Sequence, residues 1–350
     1  LVDELDAKDR VSIVVYAGAA GTVLEPTPGS EKGKILAAID DLTPGGSTAG
    51  AEGIRQAYQL ARSSFVKNGV NRVILATDGD FNVGITDPSQ LEDFVARERE
   101  SGVTLTCLGF GMGNYNDALM QKLAQKGNGN AAYIDTINEA RKVLVEQAGG
   151  TLFTIAKDVK FQIEFNPARV SEYRLVGYET RLLNREDFNN DKVDAGDIGA
   201  GHAVTALYEI VPAGSNGHLM DPLRYQAKAP AAPASSTGEI AFLRMRYKLP
   251  SEDKSRLIER PVTERDKIDD IGRAPGDLRF AAAVAGFGQL LRNDPYMKNF
   301  GFANVAELAN GAKGQDAFGY RAEFVQLVKL AQALPAMPAL DRDGQGGPDE

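Results

Sequence analysis

The sequence predicts an α/β domain built on a mostly parallel sheet, followed by an antiparallel, β-rich and α-helical region. Three observations predict it. Strand-like and helix-like segments alternate through the first 150 residues, the pattern of crossover-connected parallel strands. From about residue 155 the apolar period becomes two, as in strands with one wet face. From Asp277 onward it returns to the helical 3.6.

The elements follow in order. Leu1, Val2 and Leu5 read as the last turn of a helix already under way. Val11 to Tyr16 is a β-branched run ended by Ala17-Gly18 and reads as a buried strand. Gly21 to Leu24 is short and stops at Pro26 and Pro28, which suits a sheet edge. Ile35, Leu36, Ile39 and Leu42 recur at helical spacing, and Pro44-Gly45-Gly46 breaks that helix before another at Ala51 to Phe65. Arg72 to Thr77 is the clearest core strand and halts at Asp78-Gly79. A helix at Leu91 to Glu100, a strand at Val103 to Leu108, a helix at Asp117 to Gln125, a short strand at Ala131 to Ile134 and a helix at Asn138 to Gln147 complete the α/β part.

In the second part, Val159, Phe161, Ile163 and Phe165 alternate with Lys160, Gln162 and Glu164 in a strand wet on one face. Ala203 to Val211 and Ile240 to Leu249 are further strands; in the latter Arg244, Arg246 and Lys248 form the polar face. Residues 226–238, rich in Ala, Pro and Ser, read as a mobile loop. Phe280, Val284, Phe287 and Leu291 form one helical stripe, and Phe324, Leu327, Val328, Ala331 and Leu334 another. The expected division is an α/β domain over 1–154, a β-rich and helical domain over 155–334, and a disordered tail over 335–350.

Composition narrows the function classes. The 350 residues are 43% hydrophobic and 25% charged, as in a folded globular chain. No stretch reaches the roughly 18–20 apolar residues of a membrane-spanning helix. A net charge of −9 disfavours nucleic acid and anionic lipid as main partners. The single cysteine, Cys107, excludes an internal disulfide framework and a thiolate metal cluster.

Two loops stand out, Gly45-Gly46-Ser47-Thr48 and Thr77-Asp78-Gly79-Asp80-Phe81-Asn82. A helix of about 15 residues descends roughly 22 Å, and a strand of about six residues climbs back roughly 20 Å. The loop before that helix and the loop after that strand therefore finish side by side, at the carboxyl edge where open α/β sheets bind ligands. A hydroxyl and a carboxylate meeting there suit Mg²⁺, which wants six oxygens and usually keeps several waters. With so few carboxylates the cation stays electrophilic and can take an outside carboxylate as its last ligand.

These loops resemble the second and third segments of the metal-ion-dependent adhesion site (MIDAS) of von Willebrand factor A domains. The resemblance implies a Rossmann-like, doubly wound, mostly parallel sheet. It implies a coordinating hydroxyl at Thr48, a carboxylate at Asp78, and a partner-binding rim at Ser47, Asp80 and Asn82. The stretches Ala156-Lys157-Asp158-Val159-Lys160, Ile163-Glu164-Phe165-Asn166-Pro167 and Asp187-Phe188-Asn189-Asn190-Asp191 are similar to a bacterial branch of that superfamily carrying a characteristic C-terminal domain. The match runs from Leu1 to about Leu334. The family's first metal segment, Asp-x-Ser-x-Ser, has no counterpart here. The resemblance implies that it lies upstream together with the first strand. The chain is therefore expected to be N-terminally incomplete, with a gap in its sheet and feeble Mg²⁺ binding.

The resemblance implies a non-enzymatic, metal-dependent adhesion or scaffold module that captures a protein partner through an exposed acidic residue. It places that module at the bacterial cell envelope, periplasmic or surface-anchored, with the cytoplasm as the other location. The alternatives are a metal-dependent hydrolase and an assembly subunit beside a chaperone-like ATPase.

Other motifs carry blander readings. Thr48 is also what a helix N-cap looks like, and Asp78-Gly79 a plain turn. Gly109-Phe110-Gly111-Met112-Gly113 has the wrong glycine spacing for a dinucleotide fingerprint. Asp187, Asn189 and Asp191 open like a calcium loop, but Lys192 stands where glycine is needed and Ile198 where the closing glutamate is needed, so a polar turn is expected. His202 and His218 lie far from any nucleophile signature, and Cys107 reads as a buried thiol.

Overall fold

The computed structural model describes residues 1–16, 21–43, 45, 50–67, 69–78, 88–111, 115–147, 154–177, 182–193, 195–215, 238–297 and 299–334. The expected loop at 226–238, apart from Gly238, and the expected tail at 335–350 lie outside the described residues. Two compact units are seen. The first comprises 1–160, 190–202 and 246–256; the second comprises 161–189, 203–245 and 257–350.

The first unit has the expected α/β character. A single 3₁₀ turn, Val2–Glu4, stands where the end of a helix was expected. Lys32 Nζ secures it by donating to the carbonyls of Val2 at 2.8 Å and Leu5 at 3.2 Å. Strands β1 (Arg10–Val15) and β2 (Gly21–Pro28) form an antiparallel hairpin. β2 runs past Leu24 through both prolines, contrary to expectation. Pro26 falls in an irregular stretch of the register and Pro28 closes the pairing at Arg10, two places where proline is tolerated. In α1 (Lys32–Asp40) only Ile35 of the predicted apolar stripe is buried; Leu36, Ile39 and Leu42 are exposed.

The parallel sheet is β3-β4-β5 (Asn71–Thr77, Val103–Phe110, Ala131–Ile134). β3 and β4 pair without slippage from Asn71↔Val103 to Thr77↔Gly109. Helices α2 (Gly50–Ser63), α3 (Pro88–Glu100) and α4 (Asp117–Lys126) supply the rest of the core. Ile54 and Tyr58 of α2, Leu91 and Val95 of α3, and Met120 and Leu123 of α4 close over Val73, Leu75, Leu105 and Cys107. Each helix contributes apolar residues three or four apart, the spacing that gathers them on one face. α5 (Ile137–Arg141) runs directly into a π turn, Lys142–Glu146. Among the described residues the β1–β2 hairpin and the parallel strands are separate sheets.

A third sheet runs β11-β10-β6-β8 (Arg256–Thr263, Glu239–Lys248, Thr154–Phe165, Gly196–Gly199). Here the expected alternation fails. Lys160 is buried and Phe161 exposed, the reverse of the simple pattern. The register of β6 against β8 shifts between Ala156 and Val159, and Asp158 between them has φ +51°. Beside this bulge two adjacent residues, Val159 and Lys160, are both buried.

The buried ammonium groups are satisfied rather than solvated. Lys248 Nζ donates to Asp158 Oδ2 at 2.6 Å and to the Asp191 carbonyl at 2.7 Å, and Lys160 Nζ donates to the Asn190 carbonyl at 2.5 Å. Burial pulls the Lys160 ammonium below the usual lysine range, partly offset by Asp158. Arg246 bonds Ser255 and Asp191, and Arg244 pairs with Glu259. Of the predicted polar face, Arg246 and Lys248 are paired internally around Asp191, whereas the Arg244–Glu259 pair is exposed.

In the second unit, β7 (Val170–Val176) pairs antiparallel with β9 (Leu207–Pro212). The expected strand at Ala203 to Val211 thus begins only at Leu207. Three helices, α6 (Gly276–Leu291), α7 (Phe302–Asn310) and α8 (Tyr320–Ala333), share a core of Ala283, Val305, Ala309, Val325 and Val328. Phe280, Phe287 and Phe324 join it through edge contacts of 5.2 and 5.4 Å. The predicted stripes are half right. Val284, Leu291, Leu327 and Leu334 are exposed, because small residues such as Ala283 and Gly286 occupy the tight helix contacts.

Two stability predictions follow from this packing. A Cβ on Gly129 would stand 1.8 Å from the Leu105 carbonyl oxygen, whereas one on Gly33 of α1 would meet nothing within 4 Å. In urea denaturation, Gly129→Ala is expected to cost about 2 kcal/mol or more, and Gly33→Ala to add roughly 0.5 kcal/mol. The Asp191 carboxyl is held below its ordinary range by hydrogen bonds from Ser255 and by nearby Arg246 and Lys248. A depressed native value stabilises above the unfolded carboxylate pKa and is lost as pH falls through the native one. Asp191→Asn is therefore expected to flatten the acid limb of a stability–pH curve and leave its slope near neutrality unchanged.

Candidate functional site at the carboxyl rim

The core strand β3 ends on Thr77, which is buried, and the next residue, Asp78, is exposed. The switch occurs because the chain leaves the sheet at that point. A carboxylate here stands at the carboxyl edge of a parallel sheet, where strand ends open a crevice.

Tyr16, which follows β1, reaches across to this edge. Its hydroxyl donates to the Ala76 carbonyl and lies in hydrogen-bonding contact with Thr77. The same side chain packs on the first turn of α2, since a Cβ on Gly53 would fall 2.5 Å from Tyr16 Cβ. The start of α2 and the end of β3 thus share one rim, bridged by a single tyrosine. From the other side Gly111, after β4, approaches Asp78, its ideal Cβ position lying 3.8 Å from both the Asp78 Cβ and carbonyl oxygen. Gly111 has φ +80°, a conformation that disfavours side chains. Its carbonyl accepts from the Tyr133 hydroxyl of β5. The Tyr133 ring packs on Tyr115 at 5.1 Å, and Tyr115 covers Gly109, where no Cβ fits.

Burial pushes the Tyr16 phenol up to about 12, opposed by the Thr77 hydrogen bond and reinforced by the Asp78 charge. Tyr115 is also raised to about 12, first by burial and then by Asp117. Both therefore act as neutral hydroxyls across the physiological range. Cys107, beneath the rim in mid-strand, is fully buried, and burial raises its thiol to about 12.

Of the residues singled out from the sequence, Asp78 is described and follows the carboxyl end of β3. Thr48, Ser47, Asp80 and Asn82 lie outside the described residues, as do His218 and Met112 to Asn114. Among the described residues no group of three His, Cys, Asp or Glu could hold a metal. The chemistry of the two nominated donors, a carboxylate and a hydroxyl, nonetheless fits a hard cation, because Mg²⁺ commonly uses one or two carboxylates and keeps its waters. The calcium-like stretch begins in a 3₁₀ helix, Arg185–Asn189, that buries Phe188. Asn184 bonds Asp187, and Asp191 is taken up by Ser255 and Arg246.

Tyr16, Tyr115 and Tyr133 were not singled out as site residues, and Gly111 was weighed only within the glycine run that fails as a dinucleotide fingerprint. The hydrogen bonds of Tyr16 and Tyr133 join segments 60 and 22 residues apart, which no local pattern announces. The one available signal was Tyr16, a polar-tipped aromatic ending a β-branched run.

Comparison with known proteins now places the chain. The von Willebrand factor type A domain profile matches residues 1–147. The profile described as "Uncharacterized protein YfbK, C-terminal" matches 150–334. The chain is 48% identical over 334 residues to the Escherichia coli (strain K12) protein of that name, covering 95% of this chain. The chain belongs to the YfbK family. It spans 57% of the length of its Escherichia coli YfbK relative. Human inter-alpha-trypsin inhibitor heavy chain H4 is 31% identical over 143 residues, 38% of this chain and 15% of that protein. Among solved structures, a von Willebrand factor type A protein from Catenulispora acidiphila is similar with a TM-score of 0.45 at 16% identity, over 95% of this chain and 75% of that one. No described helix of this YfbK-family chain is long and apolar enough to cross a membrane.

A chemical consequence is open to measurement. In the native state Cys107 is expected to resist a thiol reagent at pH 8, and to react with one equivalent once the chain is unfolded. Native labelling at the unfolded rate would contradict the burial described here.

Proposed function

We propose that this chain is a non-catalytic, divalent-cation-dependent protein-binding module. In this reading Mg²⁺ sits at the carboxyl rim, with Asp78 and the Thr48 hydroxyl as protein ligands, directly or through water. Ser47, Asp80 and Asn82 form the rim around it. An exposed carboxylate of a protein partner completes the coordination shell, so capture requires the cation and breaks no bond.

The observation that carries this reading is the position of Asp78. It is an exposed carboxylate at a parallel-strand terminus, on the same rim as the first turn of α2, with Tyr16 between them. Thr48 precedes the buried start of α2 at Gly50 by two residues. Membership of the von Willebrand factor A superfamily supports the same reading. The described neighbours of Asp78 also argue against a hydrolase. They include the Tyr16 hydroxyl, raised by burial, and the Gly111 backbone, and neither is a general base poised near neutrality. With few protein donors, Mg²⁺ affinity is expected to be weak in this chain. Location at the bacterial cell envelope is carried by the family resemblance alone, and fractionation of the native host would test it.

The decisive experiment is capture of a partner from native-host extract in Mg²⁺ and in chelator. Mg²⁺-dependent capture is expected with the wild-type chain and is expected to disappear in Asp78→Ala, whose melting temperature should stay within a few degrees. Thr48→Ala should weaken it in the same direction. Turnover of phosphoester or ester substrates lost with Asp78→Ala would sink the non-catalytic reading. Capture indifferent to both chelator and Asp78→Ala would sink the metal.

A further inference from the structure

We propose that Lys248 and Asp158 are the two ends of a self-forming cross-link, an amide (isopeptide) bond between the lysine Nζ and the aspartate Cγ that joins β10 to β6. It is independent of the metal reading of the rim.

The reacting groups are already in contact. Lys248 Nζ lies 2.6 Å from Asp158 Oδ2, and Cγ is one bond beyond that oxygen, within reach of direct attack. The Asp191 carbonyl accepts from the same nitrogen at 2.7 Å and orients it. Asp158 is fixed from its own side as well. Its backbone amide donates to Asp197 Oδ1 at 3.2 Å, and the residue holds φ +51°. Its other oxygen, Oδ1, accepts from the Ala195 amide at 3.2 Å. Nucleophile, electrophile and a donor for developing negative charge thus meet within the first compact unit.

Enclosure sets this pair apart. The Lys248 and Asp158 side chains are 11% and 17% exposed, against 31% and 26% for Lys142 with Glu139 and 57% and 85% for Lys267 with Asp269. In open water an ammonium and a carboxylate stay ionised. Away from water both charges lose solvation, and one proton transfer along the hydrogen bond gives the reactive amine and carboxylic acid. Scarce water also favours condensation, because water is the product. A second ammonium, Lys160, interacts with the Asp158 charge and favours an oxyanion there.

The step balances without a co-reactant. One proton passes from the ammonium to Oδ2. The freed Nζ lone pair forms the N–C bond at Cγ, and the carbonyl pair moves onto Oδ1, where the Ala195 N–H holds it. A second proton passes from Nζ to Oδ2, the C–Oδ2 bond breaks, and water leaves as the carbonyl re-forms. One ammonium and one carboxylate give one amide and one water, with no change of oxidation state. The product would serve as a disulfide does, in a chain whose single cysteine cannot form one within itself.

The test is the intact mass of the purified full chain, unfolded in acid before measurement so that only covalent bonds persist. The expected mass is one water below that of the sequence, and proteolysis should release residues 158 and 248 in one joined fragment. Lys248→Arg keeps the charge and should restore the full sequence mass. Asp158→Asn should still cross-link, losing ammonia instead of water, and end at the wild-type mass.

A wild-type chain at its full sequence mass overturns the proposal. So does a water loss that survives Lys248→Arg, or one that maps to another residue, such as an aspartimide ring. The wild-type mass and its joined fragment decide the matter even where a variant fails to fold.

Discussion

The slip-free parallel pairing of β3 with β4 is the constraint on which the rim depends. Seven consecutive residue pairs, from Asn71↔Val103 to Thr77↔Gly109, set how far each strand travels before it leaves the sheet. A slip of one residue would turn Thr77 outward and Asp78 inward, because side chains alternate with period two. The apolar faces make that slip costly. Val73 and Leu75 on β3, and Leu105 and Cys107 on β4, pack against Tyr58, Val95 and Met120. The core thus determines where a solvent-facing carboxylate emerges, and Gly111 follows two residues after the last pair, close enough to touch it.

Much of this was legible in the sequence. The run Arg72 to Thr77 and the run Val103 to Leu108 are rich in β-branched and aliphatic residues and end in polar or glycine positions, so their existence and ends follow from composition. The loop lengths then put Asp78 at the carboxyl edge. What escaped was of two kinds. β7, with Glu172 and Arg174, and β11, with Arg256, Glu259, Arg260 and Pro261, carry the charges and proline of exposed or edge strands, a composition that also describes loops. α7 has only Val305 and Ala309 buried among nine residues, too short a stripe to stand out.

The other failure is more instructive, because a rule was applied correctly and its premise was broken. Alternation along β6 puts Lys160 on the wet side until Asp158 inserts itself with a positive φ. After the bulge the lysine is buried, and Lys248 on β10 is buried as well. Burial of two ammonium groups is tolerable only with acceptors in place, since an unpaired buried charge is strongly destabilising. Asp158 both makes the bulge and supplies a carboxylate to Lys248. The residue that breaks the pattern also neutralises the consequence. Nothing in a one-dimensional pattern links position 158 to position 248, whereas the folded chain brings them to 2.6 Å.

The rim shows the same economy of means in reverse. A cation held by many protein carboxylates is secure but has little attraction left for a partner, because each anionic ligand reduces its electrophilicity. A cation held by one carboxylate and hydroxyls keeps that attraction but binds weakly, and any mobility of the few ligands weakens it further. Rigidity is the remaining variable. It can be supplied without adding negative charge, by neutral donors that act on the backbone rather than on the metal. The Tyr16 phenol, raised to about 12 by burial, answers that description, since it stays protonated beside Asp78 and contributes a hydrogen bond without a competing anion. A lysine in its place would draw the carboxylate into an ion pair, and a glutamate would compete for the cation.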